Sequence, residues 1–294
     1  MFQTIKRSSG MDTITIRELE LFCNHGVFEE ENILGQKFLV SAKLFLDLCP
    51  AGEDDELTRS VHYGEVCYMI KDFMEEHTFQ LIEAAAEQLA RHLLIEIERL
   101  EEVELEVCKP WAPIGLPLNN VSVCIRRGWH RAYLSLGSNM GDRLMFLEDA
   151  VATLEADPCC HVLDATEWME TEPYGEVEQE DFLNGCVELR TLYDPYKLLS
   201  KLHEIENEAG RERKVHWGPR TLDIDILLYD DQVISTKELT VPHADMHNRA
   251  FVLEPMAKLA PWKRHPLLHL TMKELLDELN KKRDTERQRD TEYE

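Results

Sequence analysis

Strict alternation of side-chain character over residues 38–48 is the feature that most limits how this chain can fold. Apolar side chains take every second position there, at Phe38, Val40, Ala42, Leu44, Leu46 and Leu48. Successive side chains of a β-strand point to opposite faces, so this stretch predicts a long strand with one buried face. Half-buried strands of this kind are typical of antiparallel sheets, and we expect such a sheet in the first half of the chain.

The rest of the first half adds further strands and a pair of helices. Residues 13–19, 103–107 and 121–125 alternate in the same way, whereas residues 64–77 and 80–99 carry apolar side chains at helical spacing. The resulting order is strand, strand, helix, helix, strand, strand. This order predicts an α+β domain in which both helices pack on one face of the sheet.

The second half shows a different order of elements. Helical patterns at residues 141–156 and 195–209 interleave with strand patterns that lie near residues 132, 162, 183 and 222. Strands and helices that alternate in this way predict a ferredoxin-like layer of helices on a sheet. The expected class of the whole chain is therefore α+β, with two domains.

Length and composition agree with two domains of ordinary size. The chain has 294 residues, 44% of them hydrophobic, which is enough for two cores. Almost no linker separates the strand pattern that ends near Arg127 from the one that begins near Ala132. The expected divisions are residues 1–10, a leader or flexible N-terminus; residues 11–128, the first domain; residues 129–280, the second domain; and residues 281–294, a charged and disordered tail.

Charge and cysteine usage narrow the class of partner. The formal net charge is -25, from 32 basic and 57 acidic residues, which disfavours nucleic acid or an anionic membrane as a general partner. The eight cysteines lack CxxC spacing and are expected to stay reduced. No apolar run reaches the roughly 18 residues of a membrane span. The sequence therefore predicts a soluble cytoplasmic protein.

Two carboxylates follow a cationic stretch in the second half. Asp223 and Asp225 are two apart on a predicted strand, so both project from one face, where they would repel each other unless neutralised. A divalent cation with oxygen ligands, Mg²⁺ first among them, is one explanation. The cations just upstream, of the types that bind phosphate, are Arg211, Arg213, Lys214 and Arg220.

Two interpretations of this stretch remain open from spacing alone. A metal beside a cationic cluster indicates a nucleoside triphosphate site. Salt screens charges that are more than roughly 8 Å apart, so such a cluster can bind phosphate despite the acidic surface elsewhere. The alternative is a solvated edge strand whose aspartates pair with the nearby arginines.

The surrounding residues carry a resemblance to a known family. Residues 210–225, with Val241-Pro242-His243, Asn248-Arg249-Ala250-Phe251 and residues 136–142, resemble the signature of the hydroxymethyl-dihydropterin pyrophosphokinases. The resemblance runs from about residue 129 to about residue 279. It implies transfer of pyrophosphate from ATP to the hydroxymethyl group of a dihydropterin, with AMP as the leaving group.

That resemblance also implies roles for individual residues. The pterin-binding residues would be Thr171, Tyr174, Phe182, Asn184 and Phe251, although Phe182 could equally be a core residue. The nucleotide-binding residues would be Arg211, Arg213, Lys214, Trp217, Arg220, His243 and Arg249. Arg211 and Arg220 would also be catalytic, and Asp223 and Asp225 would hold two Mg²⁺ ions with ATP.

Three placements in the first half are also chemically suggestive. Glu31 is expected in a loop closed by Gly35, Glu83 interrupts the apolar opening of a helix, and Lys109 ends a strand just before Pro110. Each has an ordinary explanation: a solvated loop glutamate, a carboxylate that complements a helix dipole, and a lysine that protects a sheet edge.

Taken together, motifs of the first half resemble the dihydroneopterin aldolases across residues 11–127. The resemblance is carried by Asn24-His25-Gly26, Glu31 with Gly35-Gln36, residues 61–65, Glu83 and residues 109–113. It implies that Glu83 anchors the pterin, that Lys109 and Tyr63 transfer protons, and that Glu31 supports the side-chain end. The dihydropterin imine would accept the electrons of the retro-aldol step, so no cofactor is expected.

The aldolase resemblance further implies a tunnelling fold that closes as a homo-oligomer, a tetramer or an octamer, with sites between subunits. The order aldolase then pyrophosphokinase is similar to bifunctional fusions of folate biosynthesis. One alternative is a working pyrophosphokinase with a catalytically idle N-terminal oligomerisation module. Another is a regulatory protein that binds pterins without turnover.

Overall fold

The computed structural model describes residues 11–172, 180–210 and 220–292, without the side chains of residues 286, 287 and 289–292. The chain divides into two compact units, Met1–Trp129 and His130–Glu294. The expected leader, residues 1–10, lies outside the described residues. Each unit is described by itself below.

The first unit is an antiparallel sheet with helices inserted in its middle. The strands pair in the order β1-β2-β3-β4. The elements are β1 (Asp12–Cys23), α1 (Glu29–Leu34), β2 (Gln36–Leu46), α2 (Cys49–Asp54), α3 (Tyr63–Glu76), α4 (Ile82–Glu96), β3 (Glu102–Lys109) and β4 (Val121–Gly128). The expected α+β class is confirmed, and so is the order of the strands and the two long helices, whereas the short helices α1 and α2 were not predicted.

The alternation in β2 builds the core of this unit. Its five most buried side chains are Phe38, Val40, Ala42, Leu44 and Leu46, all less than 2% exposed. Helix α3 packs against β1, and helix α4 packs against β3 and β4. The remaining side chains of β2 are less buried, and Lys37 pairs there with Glu20 of β1 at 2.6 Å. One face of the sheet is therefore covered within the unit, while the strands β1 and β4 are its edges.

Glu31 lies on a short helix rather than in the expected loop. Helix α1 opens with Glu29, Glu30 and Glu31, which are favoured where backbone N–H groups are unpaired. It ends at Gly35, whose φ of 68° suits a residue without a Cβ. The correction matters because a helix fixes the direction of the Glu31 side chain.

The second unit has a five-stranded sheet with helices on both faces. Its elements are β5 (His130–Ser138), α5 (Arg143–Ala156), β6 (Cys160–Ala165), β7 (Met169–Thr171), β8 (Phe182–Thr191), α6 (Pro195–Glu208), β9 (Asp223–Tyr229), β10 (Ile234–Ser235), β11 (Thr240–Val241), α7 (Ala250–Leu259) and α8 (Met272–Glu292). The strand order is β6-β8-β5-β9, with β7 paired to β8. This is the expected ferredoxin-like arrangement, because β8 separates β5 from β6.

Alternation along β5 divides the core of this unit into two layers. Ala132, Leu134 and Leu136 pack with α5 and α6, whereas Tyr133 packs with α7 and α8 on the opposite face. Farther along that opposite face come Ser135 and Gly137 instead of large apolar side chains. The sheet face that carries α7 and α8 therefore becomes polar toward one end.

The charged C-terminal stretch differs from its expected disorder. Helix α8 continues as far as Glu292. Its start is anchored, because Met272 and Leu275 are buried in the second layer. Lysine, arginine, glutamate and glutamine are good helix formers, so the helix continues beyond its buried start even though apolar residues end near Leu279. None of the helices in the described ranges is long and apolar enough to cross a membrane.

Candidate active sites

In the first unit the structure brings Glu31 and Lys109 together. Lys109 is the last residue of β3, and its Nζ lies 2.6 Å from Glu31 Oε1. Their side chains are 12% and 9% exposed, so the pair is largely shielded from water. Glu31 also accepts hydrogen bonds from the Phe28 N–H at 3.1 Å and the Gln36 amide at 2.9 Å. The carboxylate is thus held on several sides.

These partners keep Glu31 ionised. Burial by itself would raise the pKa of Glu31, but hydrogen bonds from Lys109, Phe28 and Gln36 outweigh it and hold that pKa below its usual value. The side chain is consequently a fixed anion that orients the Lys109 ammonium. Gln36 was missed in the sequence analysis as a site residue, although it was quoted as part of the motif.

His25 is a second residue that the sequence analysis quoted without a role. Its ring is completely buried, and its Nδ1 accepts a hydrogen bond from the Phe79 N–H at 3.1 Å. Burial, and then the positive charge of Lys109, lower the pKa of His25 to about 4. His25 is therefore neutral at physiological pH. The motif Asn24-His25-Gly26 was the signal that could have assigned it to the site.

Glu83 and Tyr63 lie at the starts of two helices, apart from the described contacts of that ion pair. Glu83 is exposed near the start of α4, and Tyr63 is 64% exposed at the start of α3. The ring of His25 meets the backbone of Met74, near the other end of α3. The rise of an α-helix puts Tyr63 about 16 Å from Met74 along the axis. Tyr63 therefore lies at the end of α3 opposite the turn that approaches His25.

Large apolar side chains in the segments next to Glu31 and Lys109 are exposed to solvent. Five of them, from the end of β1 through α1, are 55–72% exposed: Phe22, Val27, Phe28, Ile33 and Leu34. After Lys109, Trp111, Ile114 and Leu116 are 51–71% exposed. So many exposed apolar side chains around one polar cluster mark an interaction surface.

In the second unit, sheet register aligns Asn184 with the two aspartates. Gly137 of β5 is opposite Asn184 of β8 on one side and opposite Asp223 of β9 on the other. Ser135, one step along the same face, is opposite Asp225. Opposed residues of antiparallel strands share a face, and two strand spacings separate Asn184 from Asp223 by about 10 Å. Amide and carboxylates therefore project from one polar surface.

The structure partly supports both interpretations of the aspartates, as a metal site and as ion-pair partners of the nearby arginines. Arg220 forms an ion pair with Asp223, as the alternative interpretation expects. Asp225 lies 3.9 Å from His243 Nε2, beyond hydrogen-bonding distance. Burial, followed by the charge of Asp223, raises the pKa of Asp225. The repulsion between the two carboxylates is therefore not fully relieved by the described residues, which favours a cation at this place.

A cavity of about 370 Å³ lies along strand β9. Its lining includes Arg220, Asp223, Asp225, His243 and Glu206. Glu206, only 1% exposed, accepts a hydrogen bond from the Ile224 N–H at 2.8 Å and so occupies the outer edge of β9. The sequence analysis missed Glu206, because only the register shows that β9 is an edge strand. In the described part of the chain, no three His, Cys, Asp or Glu side chains cluster closely enough to hold a metal by themselves.

The strand pair β7–β8 brings together three of the four predicted pterin contacts that are described. Thr171 is opposite Phe182, and the Asn184 amide donates to Thr171 Oγ1 at 2.6 Å. A Cβ at Gly137 would approach Asn184 Oδ1 to 2.5 Å, so only glycine leaves room for that amide. The fourth, Phe251, is the second residue of α7, and the Arg249 guanidinium lies 5.8 Å from its ring centroid. Arg249 Nε also pairs with Asp245 at 3.0 Å.

Asn139 holds Arg220 in place and was missed from sequence. Its N–H donates to the Arg220 carbonyl at 3.1 Å, and its Oδ1 accepts from the Arg220 N–H at 2.8 Å. The neighbouring Ser138 hydroxyl donates to the Thr221 carbonyl at 2.5 Å. The Gly137-Ser138-Asn139 segment therefore fixes the start of β9, which carries Asp223 and Asp225.

Five predicted site residues lie outside the described residues: Tyr174, Arg211, Arg213, Lys214 and Trp217.

Comparison with known proteins assigns one family to each unit. The family 7,8-dihydro-6-hydroxymethylpterin-pyrophosphokinase matches residues 133–261. The family dihydroneopterin aldolase matches residues 14–126. The two matches fall in separate compact units, and each contains the side-chain cluster described for that unit.

Similar whole proteins fall into two kinds. The 2-amino-4-hydroxy-6-hydroxymethyldihydropteridine pyrophosphokinase of Bacillus subtilis (strain 168) is 47% identical over 128 residues, 44% of this chain and 77% of that protein. Bifunctional protein FolKE of Lactococcus lactis subsp. lactis is 45% identical over 127 residues, 43% of this chain but 36% of that protein. Folic acid synthesis protein FOL1 of Dictyostelium discoideum is 30% identical over 288 residues, 89% of this chain and 43% of that protein. The chain thus spans less than half of the multifunctional relatives.

The ion pair in the first unit predicts a measurable pKa change. In Lys109→Met the carboxylate of Glu31 stays buried but loses its cation, so its pKa should rise above the usual value for a glutamate. A titration of ¹³C-labelled glutamate by NMR measures this shift. Lys43→Met, which removes an ammonium that lies over Phe45 instead, is the control and should leave Glu31 unchanged. An unaltered Glu31 titration in Lys109→Met would show that the pair does not exist in solution.

Proposed function

The chain belongs to the hydroxymethyl-dihydropterin pyrophosphokinase family and carries a dihydroneopterin aldolase domain before that domain, and we propose that it catalyses two successive reactions. The first unit cleaves 7,8-dihydroneopterin into 6-hydroxymethyl-7,8-dihydropterin and glycolaldehyde. The second transfers pyrophosphate from ATP to the new hydroxymethyl group and releases AMP. The product of the first reaction is the substrate of the second.

The polar surface that joins Asn184 to Asp223 and Asp225 is the observation that carries the second activity. It sets an amide for the edge of a heterocycle about 10 Å from two carboxylates, a separation that suits a pterin bound beside a phosphate chain. Phe182 and Phe251 provide aromatic faces for stacking on the pterin. Arg220, His243 and Arg249 surround the phosphates, joined by Arg211, Arg213, Lys214 and Trp217.

The residues that are present fit Mg²⁺. Asp223 and Asp225 supply two carboxylates on one face, and Mg²⁺ is commonly held by one or two carboxylates together with substrate phosphates. Bound there, two Mg²⁺ ions would neutralise phosphate charge and lower the barrier to attack at phosphorus. This fit also explains why the described residues leave the pKa of Asp225 raised.

The chain's own groups align the transfer. The substrate hydroxyl forms a bond to the β-phosphorus, and the bond from that phosphorus to the oxygen bridging to the α-phosphorus breaks, with AMP leaving. Asn184 orients the pterin so that its hydroxymethyl group faces the phosphates. Arg220, fixed by Asn139 and Asp223, and Arg211 stabilise the charge that develops. Positioning and charge neutralisation thus supply most of the acceleration.

The buried Glu31–Lys109 pair carries the first activity. Retro-aldol cleavage needs a group that removes the proton of the side-chain hydroxyl as the carbon–carbon bond breaks and electrons move into the dihydropterin imine. Lys109 first gives up one ammonium proton and then, as a neutral amine held by Glu31, accepts the hydroxyl proton and becomes an ammonium again, while Glu31 faces the side chain of the substrate. Glu83 accepts hydrogen bonds from the guanidine-like edge of the pterin. Tyr63 transfers the second proton.

A second copy of the chain completes this site. Tyr63 is exposed at the start of α3, at the end of the helix opposite the turn that approaches His25, and so can act on a substrate held by a neighbouring chain. The uncovered apolar side chains around Glu31 and the edges of β1 and β4 provide surface for that contact. The first unit therefore forms a closed ring of copies, a tetramer or octamer, with a site at each junction.

The eight cysteines, all free, suit a reducing cytoplasm.

The alternative of an idle N-terminal module is less well supported. A module that served only for assembly would gain nothing from a lysine and a glutamate buried together, because such a pair loses hydration without stabilising the fold more than apolar residues would. Glu31 and Lys109 are nevertheless buried in contact. A purely regulatory pterin binder would equally have no use for the aspartate pair of the second unit.

Removing one carboxylate should abolish only the second reaction. We expect Asp223→Asn to lower AMP formation by about 100-fold or more, since it weakens the metal site and frees Arg220 from its ion pair. Glycolaldehyde release should stay at the level of the unaltered chain, because the first unit is untouched. Chromatography of nucleotides and a coupled aldehyde assay measure the two products in one reaction.

Asp231→Asn is the matched control for this change. Its carboxylate follows β9 but is 89% exposed and pairs with Lys263, so both activities should be retained. Normal AMP formation by Asp223→Asn would remove Asp223 from the metal site. Loss of AMP formation in Asp231→Asn as well would show that the effect comes from general charge or stability.

Mixing two inactive variants tests the shared site. Tyr63→Phe and Lys109→Ala should each nearly abolish glycolaldehyde release when expressed alone. In co-expressed hybrids, a site is intact when Lys109 comes from one chain and Tyr63 from the other, which random assembly gives at about a quarter of sites. Recovery of about a quarter of normal activity in hybrids purified by two affinity tags is the expected result.

The unaltered chain carried through the same two-tag purification sets the reference activity. A hybrid of Lys109→Ala with Glu31→Gln serves as the negative control, because both changes fall in the same half of a site. Hybrids of the first kind that remain as inactive as their parents would place Tyr63 and Lys109 in one chain.

A further inference from the structure

We propose that His25 is a positioning residue of the aldolase site, which joins the segment carrying Glu31 to the segment carrying Glu83. The inference rests on the function proposed above for the first unit. His25 has no contact with a reacting group in this proposal. It acts through the two carboxylates whose supporting backbone it holds together.

Two hydrogen bonds make the connection. The Phe79 N–H donates to His25 Nδ1 at 3.1 Å, and the Gly26 N–H donates to the Phe79 carbonyl at 3.0 Å. Phe79 thus gives a hydrogen bond to one residue and receives one from the next. Fifty-four positions of sequence separate His25 from Phe79, so this bridge is a tertiary contact between two loops.

Each end of the bridge leads directly to a functional carboxylate. Gly26 lies against Glu31 so closely that a Cβ there would stand 2.3 Å from Glu31 Oε2. On the other side, Phe79 is followed by the N-terminal end of α4, where Glu83 lies in the first turn. A shift of the 25–26 backbone relative to Phe79 would therefore change the separation of Glu31 from Glu83. That separation must match the distance between the pterin edge and the substrate side chain.

The surroundings of the His25 ring exclude a role as a solvent-exposed group or as a general acid. The ring is completely buried, with its centroid 5.2 Å from that of Phe38 and 5.6 Å from that of Phe79. The centroid of the Phe38 ring lies in turn 6.0 Å from Lys109 Nζ. Aromatic rings therefore pack around the imidazole, and its Nδ1 lone pair is already used by the backbone of Phe79.

Protonation would break this bridge. An imidazolium has a proton on Nδ1 and cannot accept from Phe79, so the function requires the neutral ring with its proton on Nε2. The charged groups that face the ring are Lys109 from β3 and His77 from the end of α3, and both disfavour a further positive charge. In the unfolded chain the pKa of His25 returns to about 6.5, against about 4 when folded. The contribution to stability is therefore complete above pH 6.5 and is lost as the pH falls toward 4.

A pair of variants separates the effect of the hydrogen-bond acceptor of His25 from the effect of its aromatic ring. His25→Phe keeps an aromatic ring but removes the acceptor, and we expect kcat for glycolaldehyde release to fall about 10- to 100-fold, since small misplacements of catalytic groups cost that much. His25→Asn places an amide oxygen near the position of Nδ1, so it should accept from Phe79 and stay within about threefold of the unaltered chain. The full chain is used, with AMP formation from added 6-hydroxymethyl-7,8-dihydropterin as the internal reference, and this rate should not change.

His92→Phe is the matched control. His92 stacks on Phe73 at 5.0 Å in the same unit but takes no part in the bridge, so aldolase activity should be normal. Light scattering and thermal unfolding establish that each variant assembles as the unaltered chain does. Should His25→Phe fail to assemble, ¹⁵N spectra of the unaltered chain decide the question: an Nδ1 without a proton down to about pH 5 supports the bridge, and an Nδ1–H overturns it.

The outcomes are distinct. Normal aldolase activity in an assembled His25→Phe overturns the positioning role, and so does a loss in His25→Asn as large as that in His25→Phe. Absence of glycolaldehyde with the unaltered chain instead overturns the proposed function of the first unit. A large loss in His25→Phe, with rescue in His25→Asn and unchanged AMP formation, supports the inference.

Discussion

Antiparallel strand pairing decides where the functional side chains of both units lie. Directly opposed residues share a face, and side chains two apart on a strand share it as well. In the second unit this rule aligns Asn184, Asp223 and Asp225 on the face that α7 and α8 leave polar. In the first unit the last residue of β3 is Lys109, which the strand delivers to Glu31. Both candidate sites thus form at strand ends, where chain direction changes and side chains can converge.

The carboxylates at the two candidate sites are held in opposite ways. Glu31 receives an ammonium and two N–H donors, which together hold its pKa low although burial opposes this. Desolvation, and then the neighbouring charge of Asp223, raise the pKa of Asp225. The first arrangement is complete without a ligand and suits metal-free proton transfer. The second keeps two carboxylates side by side, which is the arrangement that the proposed Mg²⁺ site requires.

Periodicity predicted the elements well where packing alone determines them. The alternation of residues 38–46 corresponds to β2, although Leu48 lies beyond that strand and precedes α2. The helical spacing of residues 64–77 corresponds to α3 within a residue at each end. The prediction that Asp223 and Asp225 face one way was confirmed, because strand geometry leaves no choice once β9 forms. Glu31 was misplaced in a loop because a helix of one or two turns has too few apolar residues to show a period. The helical tail was missed for a related reason, since α8 gains its stability from its buried start.

Residues that act through tertiary contacts could not be assigned from spacing. Asn139 and Arg220 are 81 positions apart, and His25 and Phe79 are 54 apart, so only the folded chain shows that each pair is bonded. Glu206 became a candidate once β9 proved to be an edge strand. The side chains of the segment 211–219 carry many of the predicted phosphate contacts, and their assignment rests on the sequence resemblance. Local patterns predict elements, and long-range hydrogen bonds decide the site.

The central claim is that one polypeptide carries out aldol cleavage and then pyrophosphoryl transfer. The most direct measurement is a time course of the full chain with 7,8-dihydroneopterin, ATP and Mg²⁺, in which glycolaldehyde and AMP are quantified together. Formation of both products, with AMP never exceeding glycolaldehyde and approaching it at completion, is the predicted result. AMP formed only after hydroxymethyl-dihydropterin is added, with no glycolaldehyde from dihydroneopterin, would contradict the account and leave the first unit as an assembly module.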